Sequence, residues 1–276
     1  MSVQSGRTRF TRVVRPGRKR TEDWAILGIS APGSKRVALA DGDDRLAARV
    51  VATPQGSTLL AALADGAGSA PLAALGASLA CHHGLQQLAR ALQRGILTSS
   101  DGRVYDELIV IIDQIRTALQ NRAQRLRRPV RDLATTLVLV LASPTATWVA
   151  QVGDSCAVLR HGDLARIAFW PHQGQYVNST AFITDSTAPR QIGRFAVTDA
   201  VALLSDGLSP VALEHRSQQA FSGFFLPMWQ ELQHRDAQSL EGPLRALLTG
   251  PGVRAASDDD VGLVLALRTR RRTQPE

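Results

Sequence analysis

The chain has 276 residues, of which 44% are hydrophobic, and it carries a formal net charge of +8. This length and composition are typical of a globular protein with a sizeable core, and no run of about 18 uncharged apolar residues indicates a membrane span. The first residues contain no hydrophobic signal core, so we expect a cytoplasmic protein without membrane insertion.

Apolar periodicity and turn signals predict the elements of the body. In chain order these are a strand at 59–64, helices at 72–92 and 104–125, strands at 133–143, 146–155 and 156–167, a strand at 200–208, a largely helical segment at 226–249 and a strand at 260–268. The three strands between 133 and 167 predict an antiparallel meander, with turns at Gly153-Asp154 and His161-Gly162-Asp163. Because strands and helices come in runs, the pattern predicts an α+β fold.

Most of the excess positive charge lies at the two ends, in "GRTRFTRVVRPGRKR" and "RTRRRTQPE". We therefore predict basic tails at 1–20 and 269–276 around one domain at 21–268. Too few aromatic residues accompany the arginines to form a base-stacking platform, so nucleic-acid binding is not favoured. Cys81 and Cys156 lie in apolar segments without metal-ligand spacing, which predicts buried reduced thiols.

Carboxylates mark the ends of three predicted strands. Asp65-Gly66 and Asp206-Gly207 each follow an apolar strand, and Asp258-Asp259-Asp260 precedes the last one. Each Asp-Gly alone is a common turn signal, but carboxylates that meet at strand ends repel each other unless a cation lies between them. Mg²⁺ and Mn²⁺ prefer such oxygen ligands, and a glycine after the aspartate lets the backbone approach closely. The pattern therefore predicts a divalent metal site.

Five motifs in chain order resemble the metal-dependent serine/threonine protein phosphatases of the 2C type, the PPM family. They are "ALADGAGSA", "ATTLVLVLA", "QVGDSCAVLRHGDL", "VALLSDGL" and "DDVGLVLAL". "GQYVNSTAFIT" and "LGISAPG" resemble segments of a bacterial subgroup of this family. The resemblance covers roughly 24–267. It implies a four-layer α-β-β-α sandwich of two antiparallel sheets flanked by helices, with a two-metal centre at one end.

The resemblance also implies a ligand set. It assigns Asp65 as the bridge between two metals, the carbonyl of Gly66 as a ligand of one, and Asp206 and Asp259 as ligands of the other. These three aspartates and the first aspartate of the family, which falls on Asp41, are the implied catalytic residues.

The assignment of metal ligands stays open at three positions. Asp43 and Asp44 compete with Asp41 for the role of the first aspartate. Asp154 matches a ligand of a weaker third metal, or it is a turn aspartate that bonds backbone amides. A register slip would exchange the roles of Asp259 and Asp260, of which Asp260 is otherwise the neighbour that orients the ligand or bonds the backbone.

The implied activity is hydrolysis of phosphoserine or phosphothreonine on a protein by a water that two Mg²⁺ or Mn²⁺ ions activate, with a serine/threonine kinase as partner. The sequence departs from the family at Ala31 and Ala67, where relatives have histidine, and at Gln175 and Ser179, where the subgroup has glutamate. No arginine clearly matches the one that binds phosphate in relatives; Arg36 is a candidate substitute and Arg20 a weaker one, and each is otherwise a surface charge. A pseudophosphatase that binds phosphoproteins is therefore the alternative, followed by an adaptor that acts through its arginine-rich tails.

Overall fold

The computed structural model of the chain describes residues 23–34, 42–171 and 180–269. In these residues two five-stranded antiparallel sheets stack face to face. The strands of the first sheet are, in spatial order, β1 (Asp23–Ala31), β12 (Val261–Thr269), β9 (Ala200–Leu204), β6 (Cys156–His161) and β7 (Leu164–Ile167). Those of the second sheet are β2 (Arg45–Thr53), β3 (Gly56–Ala64), β4 (Leu137–Ala142), β5 (Thr147–Val152) and β8 (Gln191–Phe195).

Helices cover the outer faces of both sheets. On the second sheet these are α1 (Ala73–Gln93) and α2 (Asp101–Leu126), and on the first they are α4 (Ser222–His234) and α5 (Ala237–Leu248). Two short helices, α3 (Ser209–Ala212) and α6 (Pro251–Ala256), a small hairpin of β10 (Leu213–Glu214) and β11 (Gln219–Ala220), and three 3-10 helices (Ile96–Thr98, Val130–Leu133 and Asp206–Leu208) complete the described elements.

Three apolar clusters separate the four layers. Along β3, Leu60 and Ala62 pack under α1 and α2, whereas Leu59 and Ala61 face the opposite sheet. A third cluster lies between the first sheet and α4 and α5, where Phe225 and Trp229 are fully buried. Because both faces of the central strands are covered, those strands are continuously apolar rather than alternating. The predicted α-β-β-α sandwich is confirmed.

The predicted meander is wrong at one point. β4 and β5 pair, but β6 pairs with β7 and β9 in the other sheet, so Gly153-Asp154 is a crossing between sheets and not a hairpin turn. Gly153 has a φ of 100°, and a Cβ there would lie 2.8 Å from the carbonyl oxygen of Ala181. The apolar pattern of strands buried on both faces carries no signal for which sheet they join.

The predicted helical segment at 226–249 is two helices. α4 ends at His234, and Asp236 caps α5 by accepting a hydrogen bond from the amide of Gln238 at 3.0 Å. No helix among the described residues has the length and apolar character needed to cross a membrane.

The strands run between two ends of the sandwich. At one end β1 begins and β12 ends, with Asp23 paired to Thr269. At the other, Ala31 pairs with Val261, close to the last residues of β3 and β9. This second end carries the aspartates singled out above.

Candidate metal centre

The strand ends bring three aspartates together. Asp65 follows β3, Asp206 follows β9, and Asp154 lies in the crossing from β5 to β6. One carboxylate oxygen from each lies within 4.8 Å of the others. Carboxylates this close cannot all stay ionised unless a cation or a shared proton lies between them.

The electrostatics of the cluster show the same conflict. Burial raises the pKa of Asp65 well above its usual range, and the charges of Asp44, Asp206 and Asp154 raise it further. Burial, followed by the charges of Asp154 and Asp259, raises the pKa of Asp206 to about 6. Burial also raises the pKa of Asp154. Without a cation, the cluster therefore retains protons at pH values where an ordinary aspartate is ionised.

Several oxygens of the cluster are buried without a hydrogen-bond partner among the described residues. These are both carboxylate oxygens of Asp44, Oδ1 of Asp154 and Oδ1 of Asp206. Buried polar atoms are normally satisfied, so these carboxylates need a bound cation or shared protons; Asp44 and Asp206 lie near enough to Ser205 and Asp65, respectively, for such sharing. The donor set consists of oxygen alone, which fits a hard divalent cation such as Mg²⁺ or Mn²⁺ better than zinc.

Two threonines fix the backbone of Asp65. Its amide donates to Oγ1 of Thr136 at 3.0 Å, and its carbonyl accepts from the Thr136 amide at 2.8 Å and from Oγ1 of Thr135 at 2.7 Å. Both backbone polar groups of Asp65 are thus occupied, which leaves its side chain for the cluster. The sequence gives no functional signal for these threonines beyond their position as polar residues at the start of an apolar strand.

Gly66 lies opposite Thr135 in an isolated bridge. The hydrogen bonds on either side join Thr136 to Asp65 and Ala67 to Ala134, so they do not use the carbonyl of Gly66. A Cβ at Gly66 would lie 2.9 Å from the Cβ of Asp43 and 2.9 Å from Ala73, so this position requires glycine. The role of the Gly66 carbonyl as a ligand stays a prediction.

The first aspartate of the family falls on a short acidic segment. Asp41, to which the resemblance assigns this role, lies outside the described residues, so that assignment stays a prediction. Asp44 is 0% exposed. Its burial raises its pKa to about 8, with further contributions from the charges of Asp260 and Asp206. Among the described residues Asp44 is therefore the alternative that lies beside the cluster; its sequence signal is its place directly before β2, a strand that the periodicity did not predict.

The two aspartates before β12 have different surroundings. Asp260 is buried, and its carboxylate accepts hydrogen bonds from the amides of Gly33, at 2.7 Å, and Asp43. Asp259 is exposed and lies near enough to Asp206 and Asp154 to raise the pKa of both. This arrangement agrees with the register in which Asp259 is a ligand and Asp260 bonds the backbone.

We expect substitutions at these two positions to affect different properties. Asp259→Ala should lower kcat at least about a hundredfold with little change in the free energy of unfolding, because Asp259 is exposed and is the predicted metal ligand. Asp260→Ala should lower the free energy of unfolding by about 3 kcal/mol, because two backbone amides lose a charged acceptor, and should change kcat far less. Urea unfolding and kcat per folded protein distinguish them, and the opposite ranking would show a register one residue off.

Asp154 combines the two roles that the sequence left open. Its Oδ2 accepts a hydrogen bond from Oγ1 of Thr180 at 2.7 Å, as a structural turn residue would, whereas Oδ1 has no partner in the described residues. The same residue belongs to the three-aspartate cluster. The structure thus leaves one oxygen of Asp154 for a ligand.

Cys81 and Cys156 are free and buried, as predicted, and burial raises the pKa of both thiols, which excludes either as a nucleophile at neutral pH. Ala31 and Ala67 are buried. Arg20, Arg36, Gln175 and Ser179 lie outside the described residues.

An α-β-β-α sandwich with a carboxylate cluster at one end defines a class of metal-dependent hydrolases. The family profile described as "Protein phosphatase 2C" matches residues 36–245. Serine/threonine-protein phosphatase 3 of Escherichia coli (strain K12) is 31% identical over 211 residues, which are 74% of this chain and 82% of that protein. The chain belongs to the protein phosphatase 2C family and is a metal-dependent serine/threonine phosphatase.

Solved structures share the fold. The serine/threonine phosphatase of S. agalactiae has a TM-score of 0.61 and 16% identity, and the comparison covers 89% of this chain and 100% of that one. The catalytic domain of the serine/threonine phosphatase PstP, solved in complex with two manganese ions, has a TM-score of 0.59 and 19% identity over 90% of this chain and 100% of that one.

Proposed function

We propose that the chain hydrolyses phosphoserine and phosphothreonine in proteins with two Mg²⁺ or Mn²⁺ ions at the three-aspartate end of the sandwich. Asp65, the carbonyl of Gly66, Asp206 and Asp259 are the proposed ligands. The observation that carries the proposal is the approach of Asp65, Asp154 and Asp206 to within 4.8 Å, with buried unpaired oxygens among them. A manganese complex of PstP, which shares the fold, supports the same kind of centre.

The protein contributes positioning and charge. Two divalent cations supply Lewis-acid polarisation of the phosphoryl group and activate a water for attack on phosphorus. Thr135 and Thr136 hold the Asp65 backbone, so its carboxylate is presented in one orientation. Asp44, which we propose takes the place assigned to Asp41, has two buried oxygens that can accept hydrogen bonds from water in the centre.

Asp154 is the proposed ligand of a weaker third cation, since only Oδ1 remains for it. The phosphoprotein substrate implies a serine/threonine kinase as the source of the phosphoryl group, and we propose such a kinase as the functional partner. A pseudophosphatase is not favoured, because the described carboxylates meet at one place and retain unpaired oxygens that a mere binding module does not need.

One assay tests the proposal. The protein, stripped with EDTA and then supplemented with Mn²⁺ or Mg²⁺, should release phosphate from a small aryl phosphate and from a phosphothreonine peptide, and EDTA should abolish the release. Binding of the phosphopeptide without turnover in either metal would instead support the pseudophosphatase.

We expect the basic ends to be dispensable for the chemistry. Deletion of 1–22 and 270–276, which keeps all of β1 and β12, should leave kcat/KM for the small aryl phosphate unchanged, because such a substrate needs only the metal centre. For an acidic phosphoprotein, deletion should lower the association rate at low salt, and the difference should fade as the screening length falls to about 8 Å. A loss of small-substrate activity would show that a tail arginine reaches the centre.

A further inference from the structure

A buried arginine joins α2 to the segment that follows residue 180. Arg116 is 7% exposed, its Nε donates to the carbonyl of Ile183 at 2.9 Å, and its Nη1 donates to Oδ1 of Asp113 at 2.7 Å. A guanidinium this deeply buried is costly unless it is paired and hydrogen-bonded, so its retention here needs a reason.

The carboxylate of Asp113 also binds Arg190, which lies in the segment that follows residue 180. Arg190 donates to both oxygens of Asp113, at 2.7 and 3.0 Å. Asp113 on α2 therefore receives Arg116 from its own helix and Arg190 in a bidentate pair, a geometry that fixes orientation as well as charge. Residues 183–190 are fastened to α2 at both ends.

The other side of this segment touches the metal centre. The amide of Ile183 donates to the carbonyl of Thr135 at 2.9 Å, and the hydroxyl of Thr135 is bonded to the Asp65 carbonyl. Three residues before Ile183, Thr180 donates its hydroxyl to Oδ2 of Asp154. Arg116 therefore bonds to the carbonyl of Ile183. The amide of Ile183 is bonded to Thr135, and Thr135 in turn bonds to the backbone of Asp65.

We propose that Arg116 is a positioning residue for the metal centre, because it fixes Ile183 and thereby keeps the Thr180 hydroxyl on Asp154. Thr180 thereby fixes Oδ2 of Asp154 while one carboxylate oxygen of Asp154 lies within 4.8 Å of one oxygen each of Asp65 and Asp206. Arg116 accordingly tunes the affinity for the weaker third cation proposed for Asp154, and leaves the two cations of the proposed ligand set unchanged. This inference rests on the proposed metal centre.

The variants separate positioning from mere stabilisation of the fold. Thr180→Val removes the hydroxyl at nearly equal volume, and Thr180→Ser retains it. Arg116→Lys keeps the charge but lacks the Nε donor, and Arg125→Lys, on an exposed position of the same helix, is the matched control. Arg190→Met, which removes only the outer pair with Asp113, serves if Arg116→Lys does not fold.

The measurement is Mn²⁺ binding to metal-stripped protein by titration calorimetry, with circular dichroism to establish folding. Thr180→Val and Arg116→Lys should each weaken the lowest-affinity Mn²⁺ site about tenfold, the effect of losing one hydrogen bond to a charged group, with tighter sites unchanged. Thr180→Ser and Arg125→Lys should bind as the wild type does. If Arg116→Lys does not fold and Arg190→Met is used in its place, a smaller loss of Mn²⁺ affinity at the same site is expected.

The double variant tests whether Arg116 acts on the metal site through Thr180. Because Arg116 is inferred to act through Thr180, Arg116→Lys combined with Thr180→Val should bind Mn²⁺ no more weakly than Thr180→Val alone. Additive losses, or weakening of all sites together, would overturn the inference while leaving the metal centre in place. Failure of the wild type to bind Mn²⁺ would overturn the proposed function, and this inference with it.

Discussion

Replacing Asp65 or Asp206 by asparagine should lower kcat toward a phosphothreonine peptide at least about a thousandfold, because each removes a charged ligand from the proposed two-metal centre. The same variants should be more stable than the wild type without metal. Burial and neighbouring charges raise the pKa of Asp206 to about 6 and that of Asp65 well above its usual range, so the metal-free fold holds these carboxylates close to one another against repulsion.

The gain in stability for Asp206→Asn is on the order of 3 kcal/mol at pH 7, since the pKa of Asp206 rises from 3.8 to about 6 and each unit of pKa shift corresponds to about 1.4 kcal/mol. Urea unfolding in EDTA measures the gain, and steady-state kinetics in Mn²⁺ measures the loss of activity. Asp163→Asn, at the exposed turn after β6, is a control that should change neither. Full activity in either active-site variant would refute the metal assignment, and destabilisation without metal would refute the stated electrostatics.

The metal-free protein should lose stability as pH rises from about 4 to about 8. The folded-state pKa values of Asp206, about 6, and Asp44, about 8, lie above the ordinary value. Each group therefore contributes stability that is complete below its unfolded pKa and is lost as pH rises through its folded pKa. Saturating Mn²⁺ should reverse the trend, because carboxylates must be deprotonated to bind the metal.

Asp44→Asn isolates the upper part of this window. Other groups titrate nearby; burial lowers the pKa of His83, for example, which favours the fold as pH rises. The difference between wild type and variant cancels those contributions. The metal-free variant should gain stability over the wild type between pH 6 and pH 8, as measured by urea unfolding at several pH values. A difference that is constant with pH would show that Asp44 does not titrate in the cluster.

The residue pattern predicted an α+β fold and carboxylates at the ends of the strands before Asp65 and Asp206, because aspartates after continuously apolar strands are visible as local patterns. The sandwich and the different roles of Asp259 and Asp260 came from the resemblance to the family, in which the motifs around these residues follow in the same order. Asp260 is buried and bonded to backbone amides, whereas the ligand role of Asp259 stays a prediction.

What the sequence did not show depends on contacts between distant segments. β6 pairs with β9 in the first sheet. Because β6 is apolar on both of its faces, its sequence pattern does not indicate which sheet it joins. The burial of Asp44 requires β2, whose moderate alternation did not stand out, and Gly262, where a Cβ would lie 2.9 Å from Oδ2 of Asp44. Arg116 is one arginine on a helix rich in charged residues, and only the three-dimensional contact with Ile183 distinguishes it.

The pairing of Asp23 with Thr269 places the attachment points of both basic ends at the end of β1 and β12 that lies away from the aspartates. Residues 1–22 carry seven Lys or Arg and one Glu, and 270–276 carry three Arg and one Glu, so the two ends account for the whole net charge of +8. Both attach at the end of β1 and β12 that lies eight residues from the pair Ala31 and Val261, or about 26 Å at 3.3 Å per residue. The points at which the basic ends join the sandwich therefore lie about 26 Å from the aspartates along the strands, and a positive charge next to Asp23 or Thr269 could act on an extended substrate only if that substrate spans roughly eight residues.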